Sequence, residues 1–187
     1  DTKVQYLIES DVPSIHTVIA LDNGVSVRAH FLHPAPPSPT ENDESLERDA
    51  ELLIVGKSIE PSVGPVLIAG DLNDVAWSRT SLLFKEIAGL RDPRVGRALI
   101  NTFHAKLPIV RFPLDHIFLS EHFSVRSLQR LPAFNSDHFA MYADLSVSQA
   151  RVGDLKKLPP EPDDHREALD TIEQVDANVS DVHQPSP

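Results

Sequence analysis

The chain has no cysteine among its 187 residues. That excludes disulfides and thiolate metal sites and leaves the compartment open. Any bound metal must take oxygen and imidazole ligands, which favour Mg²⁺, Mn²⁺ or Ca²⁺ over structural zinc. No apolar run approaches the roughly 18 residues that span a bilayer, and no secretory signal opens the chain. It begins Asp1-Thr2-Lys3 without an initiator methionine, so a processed or excised form is expected and its cellular address is not readable. Positive charge is also scarce: 17 Lys and Arg stand against 28 Asp and Glu, for a net charge of −11. Residues 1–147 carry 13 against 19, and residues 148–187 carry 4 against 9. An acidic body disfavours broad nonspecific nucleic-acid binding, but it is compatible with a phosphate substrate neutralised locally by a cation.

The length suits one domain with a real core, and a 41% hydrophobic fraction fits a globular protein. Val4–Ile8, Ile15–Leu21 and Val25–Leu32 read as three antiparallel strands, the last two joined by the Asp22-Asn23-Gly24 turn. Four prolines between Pro34 and Pro39 dictate a loop. Leu46, Ala50, Leu53 and Ile54 predict an amphipathic helix over residues 44–59, ended by Pro61 and Gly64. Val66–Ala69 reads as a buried strand, and Ser78 as the cap of a helix running to Gly89. Residues 90–113 are loop-rich and basic, with Arg91, Arg94, Arg97, Lys106 and Arg111. Ile117–Leu119, Phe123–Leu128 and Phe139–Leu145 read as further strands. This order predicts an α/β sandwich of mixed or antiparallel sheets. Residues 148–187 read as an acidic tail, with a linker at residues 158–162, a short helix over residues 163–175, and disorder over residues 178–187. No internal repeat is present.

Three polar sets stand at strand ends: Gly70-Asp71-Leu72-Asn73, Leu114-Asp115-His116 and Ser136-Asp137-His138. Asp71 and Asn73 at i and i+2 of a strand would face one site. There the carboxylate can orient or deprotonate a water and the carboxamide can bind a phosphoryl oxygen. Equally, Asp-Leu-Asn-Asp can be a polar turn. The His138 imidazole is a natural acid or base near neutral pH, although Asn-Ser-Asp-His can also be a solvated turn. Asp115 begins a buried strand and needs a partner: His138, whose tautomer it would fix, or Arg111. His33 ends the third strand. Trp77 either packs behind the Asp71 loop or stacks on a substrate ring. His30, His104, His116 and His122 have no better reading than structural or surface roles.

These three sets, in this order, resemble the later motifs of the endonuclease/exonuclease/phosphatase superfamily, the DNase-I-like group of phosphoesterases. The strand ending at His33 and the following Arg48 helix resemble the family's arrangement too, so the likeness covers about residues 4–146. The resemblance implies a DNase-I-like two-sheet sandwich flanked by helices. It implies that Asp71 positions or deprotonates the attacking water and that Asn73 stabilises the phosphoryl transition state. Asp115 would pair with His138, His138 would contact the scissile phosphate, and Asp137 would lie with Asp71 on the metal side. His33 would sit near the leaving group or phosphate. Mg²⁺ or Mn²⁺ is the implied cofactor.

The chain departs from that family in its first part. Members open with an Asn after the first strand and a metal-binding Glu after the next helix, and only Glu9 stands early here. The chain is therefore expected to be the C-terminal half or two-thirds of such a domain, with one sheet incomplete and self-association favoured through the uncovered surface. The reading is a part of a metal-dependent phosphoesterase, weak or inactive alone. Its substrate would be a nucleic acid, a phospholipid head group or a soluble phosphoester. The alternative is a binding or assembly module that keeps the scaffold without catalysis.

Overall fold

The structure, a computed structural model, describes residues 1–8, 11–36, 45–60, 63–97, 99–150 and 160–186. Glu9, the later part of the proline loop, Pro61 and the start of the 158–162 linker lie outside them. The elements are β1 (Thr2–Gln5), β2 (Ser14–Ala20), β3 (Ser26–Phe31), α1 (Leu46–Ser58), β4 (Val66–Asp71), α2 (Arg79–Ile87), β5 (Asp115–Leu119), β6 (Phe123–Arg130), β7 (Met141–Val147) and α3 (Pro162–Ile172). A 3₁₀ turn follows at Val179–Asp181.

Strands β1 to β5 form one sheet in sequence order, and β6 and β7 form a second. All neighbours are antiparallel except β3 and β4, which run parallel around the α1 crossover. The β2–β3 turn forms where expected. Gly24 takes a φ of 80° there, and the Asn23 side chain accepts from the Val25 amide at 3.1 Å. At the start of α2, the Ser78 hydroxyl accepts from the Ser81 amide at 2.9 Å, as an N-cap should.

Strand alternation builds the two layers. Ile68 and Phe118 join Leu32, Leu72 and the helical residues Leu53, Ile54 and Phe84 in the main core. Their neighbours Leu67, Ile117 and Leu119 point the other way, onto Phe123, Val125 and Leu145 of the second sheet. The result is the two-sheet sandwich with helices on one side.

Helix α1 departs from the amphipathic pattern read in sequence, because Ala50 to Gly56 are all buried. The sheet covers one side of the helix, while α2 and α3 cover others. Gly56 permits the approach of α2, since a Cβ there would lie 2.8 Å from the Phe84 ring.

The C-terminal segment differs from the expected disordered end. Ala168, Ile172, Ala177 and Val182 are buried in the main core. The Gln5 side chain donates to the Asp181 carbonyl at 2.8 Å and accepts from the His183 amide at 2.5 Å. Arg79 holds α3 through Asp164 at 2.7 Å and Glu167 at 2.5 Å. The apolar residues of this segment are few, so their burial is decided by the surface they meet.

Among the described residues the second sheet has two strands, and it covers the Val25–Val27 end of the large sheet. The same face continues past it through Phe31, its register partner Ile15, and Val4 beyond that. Val4 is 52% exposed and Ile15 is 40% exposed. No helix among the described residues is long and apolar enough to cross a membrane.

Candidate active site

Asp71 closes β4 and Asp115 opens β5, and the antiparallel register sets them directly opposite each other. Gly70 lets the neighbouring strand come close: a Cβ there would lie 1.8 Å from the Leu32 carbonyl oxygen. That approach carries His33 beside Asp71. His138 reaches the pair from the loop before β7, where it forms an isolated bridge with Phe103 and packs on its ring at 4.9 Å. The sequence reading starts a strand at Phe139, whereas β7 begins at Met141, so His138 is a loop residue.

The His138 imidazole lies between the two carboxylates. Its Nδ1 donates to Asp115 Oδ2 at 2.8 Å, and its Nε2 stands 3.5 Å from Asp71 Oδ2. A carboxylate only accepts, so Asp115 fixes the Nδ1–H and aims Nε2 at Asp71. Burial works against the charged ring, but the hydrogen bond it donates to Asp115 and the charges of Asp115, Asp71 and Asp137 outweigh it, and the pKa of His138 is raised. The pKa of Asp71 is raised as well, chiefly by burial and then by the Asp115 charge, against the opposing backbone bond from Asn73 and the nearby histidines. A protonatable imidazole thus faces a carboxylate of increased basicity, a pairing suited to moving a proton to or from water.

Asn73 has two roles that the sequence set against each other. It takes a φ of 49°, so it has left the strand, and its amide donates to Asp71 Oδ1 at 2.9 Å. The tetrapeptide is therefore a polar turn, and that turn orients the carboxylate. The Asn73 carboxamide donates to the Pro34 carbonyl at 2.9 Å, which leaves its second N–H for a ligand. Leu72 between them is fully buried.

His33 Nε2 lies 3.9 Å from Asp71 Oδ2, on a side chain that is 69% exposed. Trp77 does not pack behind the loop; it is 55% exposed on the turn into α2. Asp137 is exposed. Among the described residues, Asp71, Asp115 and His138 form the one group of ligand atoms within 4.8 Å of one another, and Asp137 is not in it. A shallow groove of about 550 Å³, walled by Val4, Tyr6, Ile15 and Phe31, opens onto His33 and Asp71.

A second layer escaped sequence reasoning. Arg48 on α1 donates to the Asn73 carbonyl at 2.8 Å and lies 3.5 Å from Asp74. Asp74, itself buried, accepts from Ser78 and, at 2.8 Å, from Ser81. Its carbonyl accepts from His116 Nε2 at 2.9 Å, while His116 Nδ1 accepts from Arg94 at 2.9 Å. Burial, then the Arg94 charge, lowers His116 to a pKa of about 4, so it stays neutral. The spacing of Ser78 and Ser81 after Asp74 was the available signal, since a carboxylate four and seven residues before two hydroxyls can gather both. Arg48 and Arg94 gave no local signal, because each acts across the fold.

Comparison with known proteins is consistent with this geometry. The profile of the "Endonuclease/Exonuclease/phosphatase family" matches residues 1–138. No curated protein sequence matches the chain. Three solved structures share the fold. The human Nocturnin catalytic domain with bound sulfate has a TM-score of 0.61 at 17% identity, over 79% of this chain and 59% of that one. A D. rerio TDP2 humanized by 14 mutations has a TM-score of 0.62 at 16% identity, over 79% and 66%. The Bacteroides thetaiotaomicron mannosyl-6-phosphatase Bt3783 has a TM-score of 0.58 at 20% identity, over 78% and 66%. The chain thus spans about three-fifths to two-thirds of the length of these structures.

Proposed function

The chain belongs to the endonuclease/exonuclease/phosphatase family, and from that premise we propose that it carries the water-activating part of a phosphoester hydrolase. The observation that supports this most is the convergence of Asp71, Asp115 and His138. In this reading Asp71, pushed towards higher basicity, orients the attacking water and takes its proton. His138, held by Asp115, contacts the scissile phosphate and shields its charge. Asn73 offers its free N–H to a phosphoryl oxygen. His33 stands near the leaving group, and the exposed Trp77 indole is placed to stack on a substrate ring.

The donor chemistry suits a hard divalent cation, Mg²⁺ or Mn²⁺. Asp71 would hold it, with Asp115 and His138 beside it, and Asp137 would contribute from the exposed edge. When bound, the ion supplies Lewis-acid polarisation and charge neutralisation. Among the described residues, two carboxylates and one imidazole are few ligands for a cation that takes about six, which supports weak ion binding and slow turnover.

A phosphodiester is the favoured substrate. Nucleic acid, a phospholipid head group and a soluble phosphoester all fit the site. The exposed Val4, Ile15 and Phe31 face also supports self-association of the isolated chain, which sedimentation velocity at rising concentration would reveal. Hydrolysis of bis-p-nitrophenyl phosphate with Mg²⁺ or Mn²⁺ tests the function. A longer form that includes the upstream chain should turn over and lose activity in His138→Ala. No turnover in that form would sink the hydrolase reading.

A further inference from the structure

Beside the site, five consecutive residues, Lys106 to Val110, are exposed, and the last four of them are apolar. Ile109 is 95% exposed, Leu107 49% and Val110 44%. Lys106 precedes this tip and is exposed, whereas Arg111 after it turns inward over the Phe139 ring at 5.2 Å; residues 101–113 contain no carboxylate in a chain of net charge −11.

The tip is held at its base. Thr102 and Phe103 both donate to the Phe112 carbonyl, at 3.0 and 2.9 Å, and His104 donates to Val110 at 3.1 Å. The Ala105 amide donates to the Asp137 carbonyl at 2.6 Å, and Phe103 is the residue bridged to His138. The projection therefore keeps a set position relative to the imidazole. The loop between β6 and β7, which carries His138, exposes Phe134 by 60%.

Exposed aliphatic side chains on a pinned loop cannot be recovered by the protein's own core, and a contiguous apolar tip beside an exposed lysine marks a contact surface. Aliphatic chains do not stack on nucleobases, whereas they partition into acyl chains while lysine and arginine meet lipid phosphates. We propose that residues 104–112 dock the protein on an anionic lipid surface. Leu107, Ile109 and Val110 enter the acyl boundary, Lys106 lies at the head groups, and His138 faces substrate at that surface. The placing of substrate rests on the hydrolase reading; the lipid contact does not.

Co-sedimentation of the full chain with phosphatidylcholine–phosphatidylglycerol vesicles tests this. The chain should bind them, bind pure phosphatidylcholine less, and lose about tenfold or more in affinity in Ile109→Asp. Lys106→Glu should remove most of the preference for anionic vesicles. Ile109 is almost wholly exposed, so that variant should keep the wild-type circular dichroism. Val4→Asp, on the exposed sheet face, should bind like wild type. The proposal is overturned if the chain ignores vesicles, if Val4→Asp rather than Ile109→Asp abolishes binding, or if Ile109→Asp weakens binding of a single-stranded oligonucleotide and not of vesicles. Ile109→Asp should leave turnover of soluble bis-p-nitrophenyl phosphate unchanged in the longer form. Absent turnover with intact vesicle binding would remove the hydrolase reading alone.

Discussion

Asp71 and Asp115 face each other across the β4–β5 register, and the His138 imidazole spans the space between their carboxylates. Two carboxylates so placed repel. Burial raises the Asp71 pKa and the Asp115 charge adds to it, while the two carboxylates raise the affinity of the imidazole for its proton.

Asp115→Asn should lower the His138 pKa, because burial then acts with less opposition. Proton NMR titration in chelator-treated protein would read this directly. The stability consequence has a definite sign. A histidine with a raised folded pKa contributes fully below its unfolded value, near 6.5, and the contribution is lost as pH rises through the folded value. Wild type should therefore exceed Asp115→Asn in stability most clearly below pH ~6.5, and the gap should narrow above the folded pKa. An unchanged His138 titration would dissociate the pair.

Asn73 separates turn from chemistry. Asn73→Gly fits a φ of 49° and should keep the fold, yet it should lower phosphodiester turnover of an active longer form by roughly 100-fold through the lost carboxamide. Asn73→Val should also cost about 1–2 kcal/mol in urea unfolding, since a β-branched residue resists the left-handed region. Full activity in Asn73→Gly would leave Asn73 as a turn residue only.

Gly70→Ala places a methyl 1.8 Å from the Leu32 carbonyl oxygen, which is backbone and cannot swing aside. The strands β3 and β4 must part, at a cost above about 2 kcal/mol in thermal or urea unfolding. A variant as stable as wild type would refute the close approach of these strands.

A buried histidine pair should make the fold acid-sensitive. His16 and His30 share an Nδ1–Nδ1 hydrogen bond of 2.7 Å between β2 and β3. Burial, reinforced by neighbouring positive charge, lowers their pKa values to about 4 and about 3. The unfolded chain then binds more protons below pH ~6.5, so stability falls as pH drops from there towards the folded values, by at most roughly 1.4 kcal/mol per unit for each histidine. His30→Gln should flatten that slope in urea titrations at pH 7 and pH 5. An equal slope would place the acid sensitivity elsewhere.

The C-terminal segment should unfold with the domain rather than ahead of it. Ile172→Ala removes a buried side chain from the main core and should cost about 2–5 kcal/mol, seen as a lower midpoint in one cooperative transition. A separate early transition would make residues 162–186 an independent appendage.

Much of this was legible in the residues. The continuously apolar runs Val66–Ala69 and Ile117–Leu119, the Asn23-Gly24 turn and the Ser78 cap are local signals, and local backbone preference expresses them wherever the chain is placed. The same holds for the polar sets at strand ends, which mark Asp71, Asn73, Asp115 and His138 as candidates and resemble one family in their order. The all-round burial of α1 and the ordering of residues 177–183 were not legible, because each depends on a surface supplied by distant chain. Arg48 and Arg94 were hidden for the same reason: their partners Asn73 and His116 lie 25 and 22 residues away.

Sequence alone determined which carboxylates, carboxamides and imidazoles this protein has, and that oxygen and imidazole must hold any metal, since composition bounds chemistry. Only the tertiary structure decided which of them meet. Cross-strand register sets Asp71 opposite Asp115, the Phe103 bridge delivers His138 between them, and Asp137 faces outward one residue away, because pairing between strands, and not distance along the chain, determines where a side chain ends.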